Sequence, residues 1–180
     1  MADVLLLRRS MESHAKVAGH PIHPMLVMFP LGLWPSAVVF ELIGRASGAP
    51  IWATMAYYMI AAGILGAIAA AIPGLVDALA IPRGTRAKRI AVLHGVGNVI
   101  VLVAFVASWW LRRGIPENPP ISATLLAIAG VLLAAVTGWL GGELVDRLGV
   151  GVDDAAGLDA PSSLQGPHGS HPPHAPSAVR

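Results

Sequence analysis

The sequence predicts an all-α protein, an integral membrane four-helix bundle of up-down-up-down topology with a disordered C-terminal tail. Three observations lead there. Of 180 residues, 55% are hydrophobic and only 12% are charged, where an ordinary soluble domain carries about 25% charged residues. Mean hydropathy is +0.67. Four segments stay apolar over the roughly 20 residues a helix needs to cross a hydrocarbon core, and the connections between them are short apart from residues 73–89. Consecutive spans are therefore antiparallel neighbours. The chain has no cysteine, which excludes disulfides, thiolate metal sites and iron–sulfur ligation by its own residues. Its basic residues flank apolar spans and do not line a polar face, so nucleic acid is not an expected partner.

Residues 1–19 read as a lead-in lying on the bilayer surface. The apolar run from Val4 to Leu7 is too short for a secretory signal and precedes Arg8 and Arg9. Next comes Gly19-His20-Pro21-Ile22-His23-Pro24. Each proline pushes the residue before it out of the α region, which predicts an extended, polyproline II-like segment with His20 and His23 on one side. Pro24 suits the first turn of the helix that follows.

The transmembrane domain is expected over residues 20–150, with spans at 25–44, 51–72, 90–111 and 121–140. Pro73-Gly74 is read as the end of the second span. That span carries small residues at spacing four, Ala62, Gly66 and Ala70, with Gly63, Ala67 and Ala71 beside them. Small residues let helix backbones approach closely in lipid. Trp34, Trp52, Tyr57, Tyr58, Trp109, Trp110 and Trp139 are read mostly as interfacial anchors. Residues 151–180 are rich in Pro, Gly and Ser and cannot bury a core, so they form the disordered tail. His168, His171 and His174 within it are read as incidental.

Lysine and arginine set the orientation. Arg8, Arg9, Lys16, Arg83, Arg86, Lys88, Arg89 and Arg147 fall on one side, and Arg45, Arg112 and Arg113 on the other. The positive-inside rule then places both termini in the cytoplasm of a multi-pass inner-membrane protein.

The same topology gathers the unusual polar residues at one interface. His20 and His23 begin span one, Asp77 follows span two, His94 and Asn98 share a face in the first turns of span three, and Glu143 and Asp146 follow span four. Elsewhere the spans hold little that ionises, apart from Glu41, which is expected to pair with Arg45 one turn on. Polar groups at membrane depth face the bundle interior or a cavity. Imidazoles with carboxylates are a ligand set for iron, zinc, copper or manganese, and two histidines on different helices suit a haem iron.

Four motifs carry a resemblance to a known family. Gly-His-Pro-Ile-His-Pro-Met-Leu-Val-Met-Phe-Pro at 19–30, Pro-Gly-Leu-Val-Asp at 73–77, His-Gly-Val-Gly-Asn at 94–98 and Gly-Trp-Leu-Gly-Gly-Glu-Leu-Val at 138–145 together resemble the bacterial membrane-protein family catalogued as domain of unknown function 2231. The likeness spans about residues 18–152 and implies four membrane helices. Some members are fused to a Rieske-type iron–sulfur domain, which implies electron transfer. This chain carries no such domain in its tail, so its redox or cytoplasmic partner would be a separate protein.

The leading expectation is a membrane protein binding haem or a divalent transition metal for electron transfer. His20, His23, His94, Asp77 and Glu143 are the candidate ligands, with His23 and His94 first. Asn98 and Asp146 would orient them, and Arg83 and Arg86 would meet haem propionates or an acidic partner. Two alternatives use the same residues: a non-catalytic membrane subunit anchoring a partner, and a small transporter or proton relay. Spans two and four lack the mid-depth ionisable residues a transport pathway wants. A hydrolase is not expected, since there is neither a Gly-x-Ser-x-Gly elbow nor a His-Glu-x-x-His pair.

Overall fold

A computed structural model describes residues 10–164. Four long helices dominate it: α1 (Ile22–Ser47), α2 (Pro50–Ala80), α3 (Arg86–Leu111) and α4 (Ile121–Gly142), the last running into a π-helical turn at Glu143–Arg147. All four are long and apolar enough to cross a membrane.

Local chemistry explains most of the boundaries. The chain enters through a minimal hairpin in which β1 (Lys16–Val17) pairs antiparallel with β2 (His20–Pro21). Its turn residues Ala18 and Gly19 have φ of 49° and 81°, as a primed hairpin turn requires. The extended reading of residues 20–24 therefore holds only to Pro21. Helix α1 begins at Ile22, so His23 and Pro24 sit in its first turn, where proline's missing N–H is no loss. The two histidines consequently do not share a polyproline face. At the other end, Gly48 adopts φ 70° and its N–H returns to Gly44 O at 2.9 Å, a left-handed cap. Pro50 opens α2 directly afterwards.

Pro73 does not end α2, which continues to Ala80. A proline inside a helix removes the bond to the carbonyl four residues back. Membrane helices tolerate this when neighbouring helices supply other partners. The carbonyl left without its helical donor is that of Ala69; the adjacent Ala70 O accepts a hydrogen bond from His23 on α1. Thr85 caps α3, its hydroxyl accepting from Lys88 N at 3.1 Å.

Helix α1 packs most extensively on α2, and α3 on α4. The core lies where the two pairs meet: Trp34 stacks on Phe105 with centroids 4.1 Å apart, among Ala37, Ala56, Ile60, Val101 and Ala127. Trp34 is thus a core residue and not an interfacial anchor. Trp52, Tyr57, Trp109 and Trp110 do cluster at one end of the bundle, where Tyr57 stacks on Trp109 at 5.5 Å and Phe40 meets Trp52 at 5.1 Å. The buried small-residue stripe of α2 is Ala56, Gly63 and Ala70 at spacing seven, whereas Ala62 and Ala71 face outward. Large apolar side chains such as Leu65, Val103 and Leu132 are exposed on the outer faces, a surface suited to lipid and not to water.

Inside the bundle the contacts repeat at constant offset. His23, Trp34 and Glu41 of α1 correspond to His94, Phe105 and Arg112, each 71 positions later, and each meets its own counterpart. Gly63, Ala70 and Gly74 of α2 correspond to Gly130, Thr137 and Gly141, each 67 positions later. A Cβ on Gly130 would lie 2.7 Å from the Phe105 ring, and one on Gly63 would collide with Trp34. The α1–α2 hairpin thus repeats as α3–α4. The α1/α3 seam has three layers: a histidine pair, an aromatic stack and an ion pair.

Candidate functional site

The histidine layer is what the structure assembles from the predicted constellation. His23 and His94 approach edge to face, with ring centroids 6.2 Å apart and planes at 84°. Each ring is anchored in the same way. His23 Nδ1 donates to Ala70 O and His94 Nδ1 to Thr137 O, both at 2.8 Å. Each ring also lies on a glycine of its partner helix, where a Cβ on Gly74 would come 2.7 Å from His23 Nδ1 and one on Gly141 would come 3.1 Å from His94 Cε1. A side chain at position 74 would force the His23 ring to shift, and one at 141 would press more lightly on His94.

Asn98, one turn deeper on α3, donates through Nδ2 to His94 Nε2 at 3.0 Å and accepts from the Thr137 hydroxyl at 2.8 Å. His94, Asn98 and Thr137 therefore close a ring of hydrogen bonds that holds His94 as the neutral tautomer with its proton on Nδ1. Thr137 is a member that sequence reading missed. The signal available was its offset of 67 from Ala70.

The remaining predicted ligands go elsewhere. His20 lies exposed on β2, its Nε2 hydrogen-bonded to the Ser163 hydroxyl at 3.2 Å. Because α2 extends past Pro73, Asp77 is helical. Its carboxylate accepts from Ser13 Oγ at 2.7 Å and from the backbone N–H groups of His14 and Ala15 at 2.7 and 3.2 Å. It therefore clips the N-terminal segment to the end of α2. Glu143 accepts from Arg86 at 2.7 Å, and Asp146 is exposed in the π turn. Arg83 is exposed on the α2–α3 connection. Among the described residues, no group of three or more His, Asp or Glu side chains is arranged to hold a metal ion. His168, His171 and His174 lie outside the described residues.

The N-terminal segment and the chain after the π turn meet at this end. Met11 N donates to Gly149 O at 2.9 Å, Gly151 N to Met11 O at 2.6 Å, and Ser10 hydrogen-bonds Asp154. Residues 151–164, expected to belong to a disordered tail, form turns there.

At the opposite end Glu41 is fully buried and does more than pair with Arg45. It forms an ion pair with the equally buried Arg112 and accepts a hydrogen bond from Thr124. Arg45 reaches Glu41 at 3.0 Å, Thr124 Oγ1 at 2.6 Å and Pro119 O at 2.8 Å. Arg112 also donates to Ser108 Oγ at 2.7 Å, and Ser108 donates on to Ala123 O at 2.7 Å. Arg112, counted from sequence as a loop charge, is thus the α3 counterpart of Glu41.

Four apolar helices with a lipid-compatible exterior and a polar interior layer define an integral membrane helical bundle. The family profile described as "Predicted membrane protein (DUF2231)" matches residues 19–154, and the chain belongs to that family. Comparisons with curated proteins and with solved structures each returned no match.

Proposed function

We propose that the protein binds a single transition-metal ion at His23 and His94, within the membrane but near one face of it, and uses it for electron exchange with a separate protein. The observation that carries this is the matched anchoring of the two imidazoles. Each donates Nδ1–H to a backbone carbonyl of the neighbouring helix, the outer-shell arrangement that fixes tautomer and ring orientation for ligation through Nε2. The ring centroids are 6.2 Å apart, a separation that two metal–nitrogen bonds of about 2.0–2.1 Å can bridge once Nε2 of each ring is turned to the ion. Asn98, now on His94 Nε2, is an uncharged amide that can turn away. An ion fits these surroundings better than haem does. Both rings rest on glycines of α2 and α4, and the Trp34–Phe105 stack ties α1 to α3 deeper in the bundle, which leaves little room to insert a porphyrin. With two protein ligands and no thiolate, imidazole-preferring copper, zinc or iron are the ions to try.

The central core argues against a transport path through the bundle. Trp34, Phe105, Ile60 and Val101 fill its middle and are buried.

We also infer that the histidine end faces the cytoplasm. Among the described residues, six basic side chains (Lys16, Arg83, Arg86, Lys88, Arg89 and Arg147) belong to that end against three at the other. Of those three, Arg112 is buried and Arg45 bonded within the Glu41 network, while Arg113 lies over the Trp110 ring at 4.2 Å. The protein has no cysteine of its own, so Arg147→Cys and Arg113→Cys can each be probed with a membrane-impermeant thiol reagent on intact cells. Labelling of the second and not the first is expected, and the reverse would invert the topology.

The binding reading is tested by metal analysis and a reduced-minus-oxidised visible spectrum of detergent-purified protein, for wild type, His23→Ala and His94→Ala. A stoichiometric ion lost in both variants, without a haem band, is expected. A haem band lost in both would replace the ion with a cytochrome. Wild type that neither carries nor takes up an ion would sink the reading and leave a non-catalytic membrane subunit.

A further inference from the structure

We propose that the outer face of the first two turns of α3 binds one anionic phospholipid, its phosphate held by Arg89 and Arg83 and an acyl chain lying along Val92 and Leu93. This site is independent of the histidine pair. A shallow cavity of about 420 Å³ runs along this face, lined by Gly84, Thr85, Lys88, Arg89, Val92 and Leu93. Its charged rim and its apolar floor are one helical turn apart, about 5 Å. That is the order in which a phospholipid presents phosphate and hydrocarbon at a membrane surface. Val92 and Leu93 are both more than half exposed, so on this face they contact lipid and not protein.

The charge at the rim is unbalanced. Arg83, Arg86, Lys88 and Arg89 fall within seven consecutive positions, and the first turn of α3 contains no acidic residue. Basic residues there oppose the positive end of the helix dipole, so the cluster is unfavourable until an anion joins it. Two of the four have partners: Arg86 pairs with Glu143 at 2.7 Å, and Lys88 Nζ donates to Ala78 O at 2.6 Å. Arg83 and Arg89 are exposed and, among the described residues, form no ion pair. The helix end contributes little itself, because Lys88 N and Arg89 N are already bonded to Thr85 at 3.1 and 3.3 Å. Arg89 lines the cavity and Arg83 directly precedes its lining residue Gly84, so Arg89 is the primary contact with Arg83 beside it, and a phosphodiester is the acceptor that guanidinium fork geometry matches. A zwitterionic lipid carries its own ammonium beside the phosphate and gains less.

The test is native mass spectrometry of full-length protein equilibrated with mixed micelles of equimolar phosphatidylglycerol and phosphatidylcholine. The variants are the double change Arg83→Gln/Arg89→Gln, the single change Leu93→Asn, and Arg147→Gln as an exposed charge at the same end. Wild type should retain one phosphatidylglycerol per chain. The double change should reduce that retention about tenfold or more, Leu93→Asn should reduce it less, and Arg147→Gln should leave it near wild type. Equal retention of the two lipids would overturn the proposal. So would an effect of Arg147→Gln as large as that of the double change, or displacement of the lipid by inorganic phosphate.

Discussion

The two ends of the bundle are made by the same repeat and hold opposite kinds of chemistry. At one end the paired positions are Glu41 and Arg112, unlike charges, both buried, with Arg45, Thr124 and Ser108 adding hydrogen bonds around them and only Arg112 Nε left without one among the described residues. At the other they are His23 and His94, two like side chains, each anchored through Nδ1. A buried ion pair whose partners satisfy one another cannot accept a ligand without unpairing a charge, which is costly in a low-dielectric interior. Two rings anchored through Nδ1 keep Nε2 for another partner, on His94 by displacing the Asn98 amide. The first end locks α1 to α3, and the second is the end to which we assign the proposed ion.

The sharpest way to break this contrast is at the locked end. Glu41→Ala leaves Arg112 buried and unpaired, and should cost about 3–5 kcal/mol, read as a large drop in the unfolding midpoint in detergent. The double replacement Glu41→Leu/Arg112→Leu should recover most of that loss. A harmless Glu41→Ala would mean that this end is not a lock. Next in size is the core between the two ends. Gly130→Ala places a methyl 2.7 Å from the Phe105 ring and should destabilise by about 1–3 kcal/mol in the same assay, without changing ion uptake at saturating ion.

Smaller effects separate stability from function at the histidine end. His94→Ala removes one hydrogen bond to Thr137 O and one to Asn98, a loss of about 1–3 kcal/mol, yet it should abolish ion uptake altogether. Gly74→Ala should weaken ion affinity more than Gly141→Ala, because its methyl comes closer to the ring, 2.7 Å against 3.1 Å. Equal effects would show that ring position is not what sets affinity. Asn98→Ala frees His94 Nε2 and should leave ion affinity unchanged or tighter by equilibrium titration. A large loss would make Asn98 a ligand instead of a group to be displaced.

The fold was legible because the membrane leaves few options. A backbone in hydrocarbon must satisfy its own hydrogen bonds, so four apolar runs separated by charged or proline-containing links read directly as four antiparallel helices. His23, His94 and Asn98 were legible for the same reason, since up-down topology places the start of spans one and three together. His20, Asp77 and Glu143 misled because their partners, Ser163, Ser13 and Arg86, belong to connections and termini that carry no periodicity. The helical course past Pro73 was hidden because proline usually ends or kinks a helix, whereas α2 runs through it to Ala80. Arg112 looked like a topology charge because it stands one residue beyond the apolar run. What would have exposed it is the repeat itself: Gly63-Ile64-Leu65 with Ala67 and Gly74 recurs as Gly130-Val131-Leu132 with Ala134 and Gly141. That offset of 67 aligns Ala70 with Thr137, and the separate offset of 71 between His23 and His94 aligns Glu41 with Arg112.

One measurement bears most directly on the contrast between the ends: equilibrium titration of detergent-solubilised protein with copper and with zinc, for wild type, His23→Ala, His94→Ala and Glu41→Leu/Arg112→Leu. One ion per chain is expected in wild type and in the double replacement, and none in either histidine variant. Uptake that survives loss of either histidine, or that disappears when only the Glu41–Arg112 pair is replaced in a folded protein, would contradict the assignment of exchange to the histidine end.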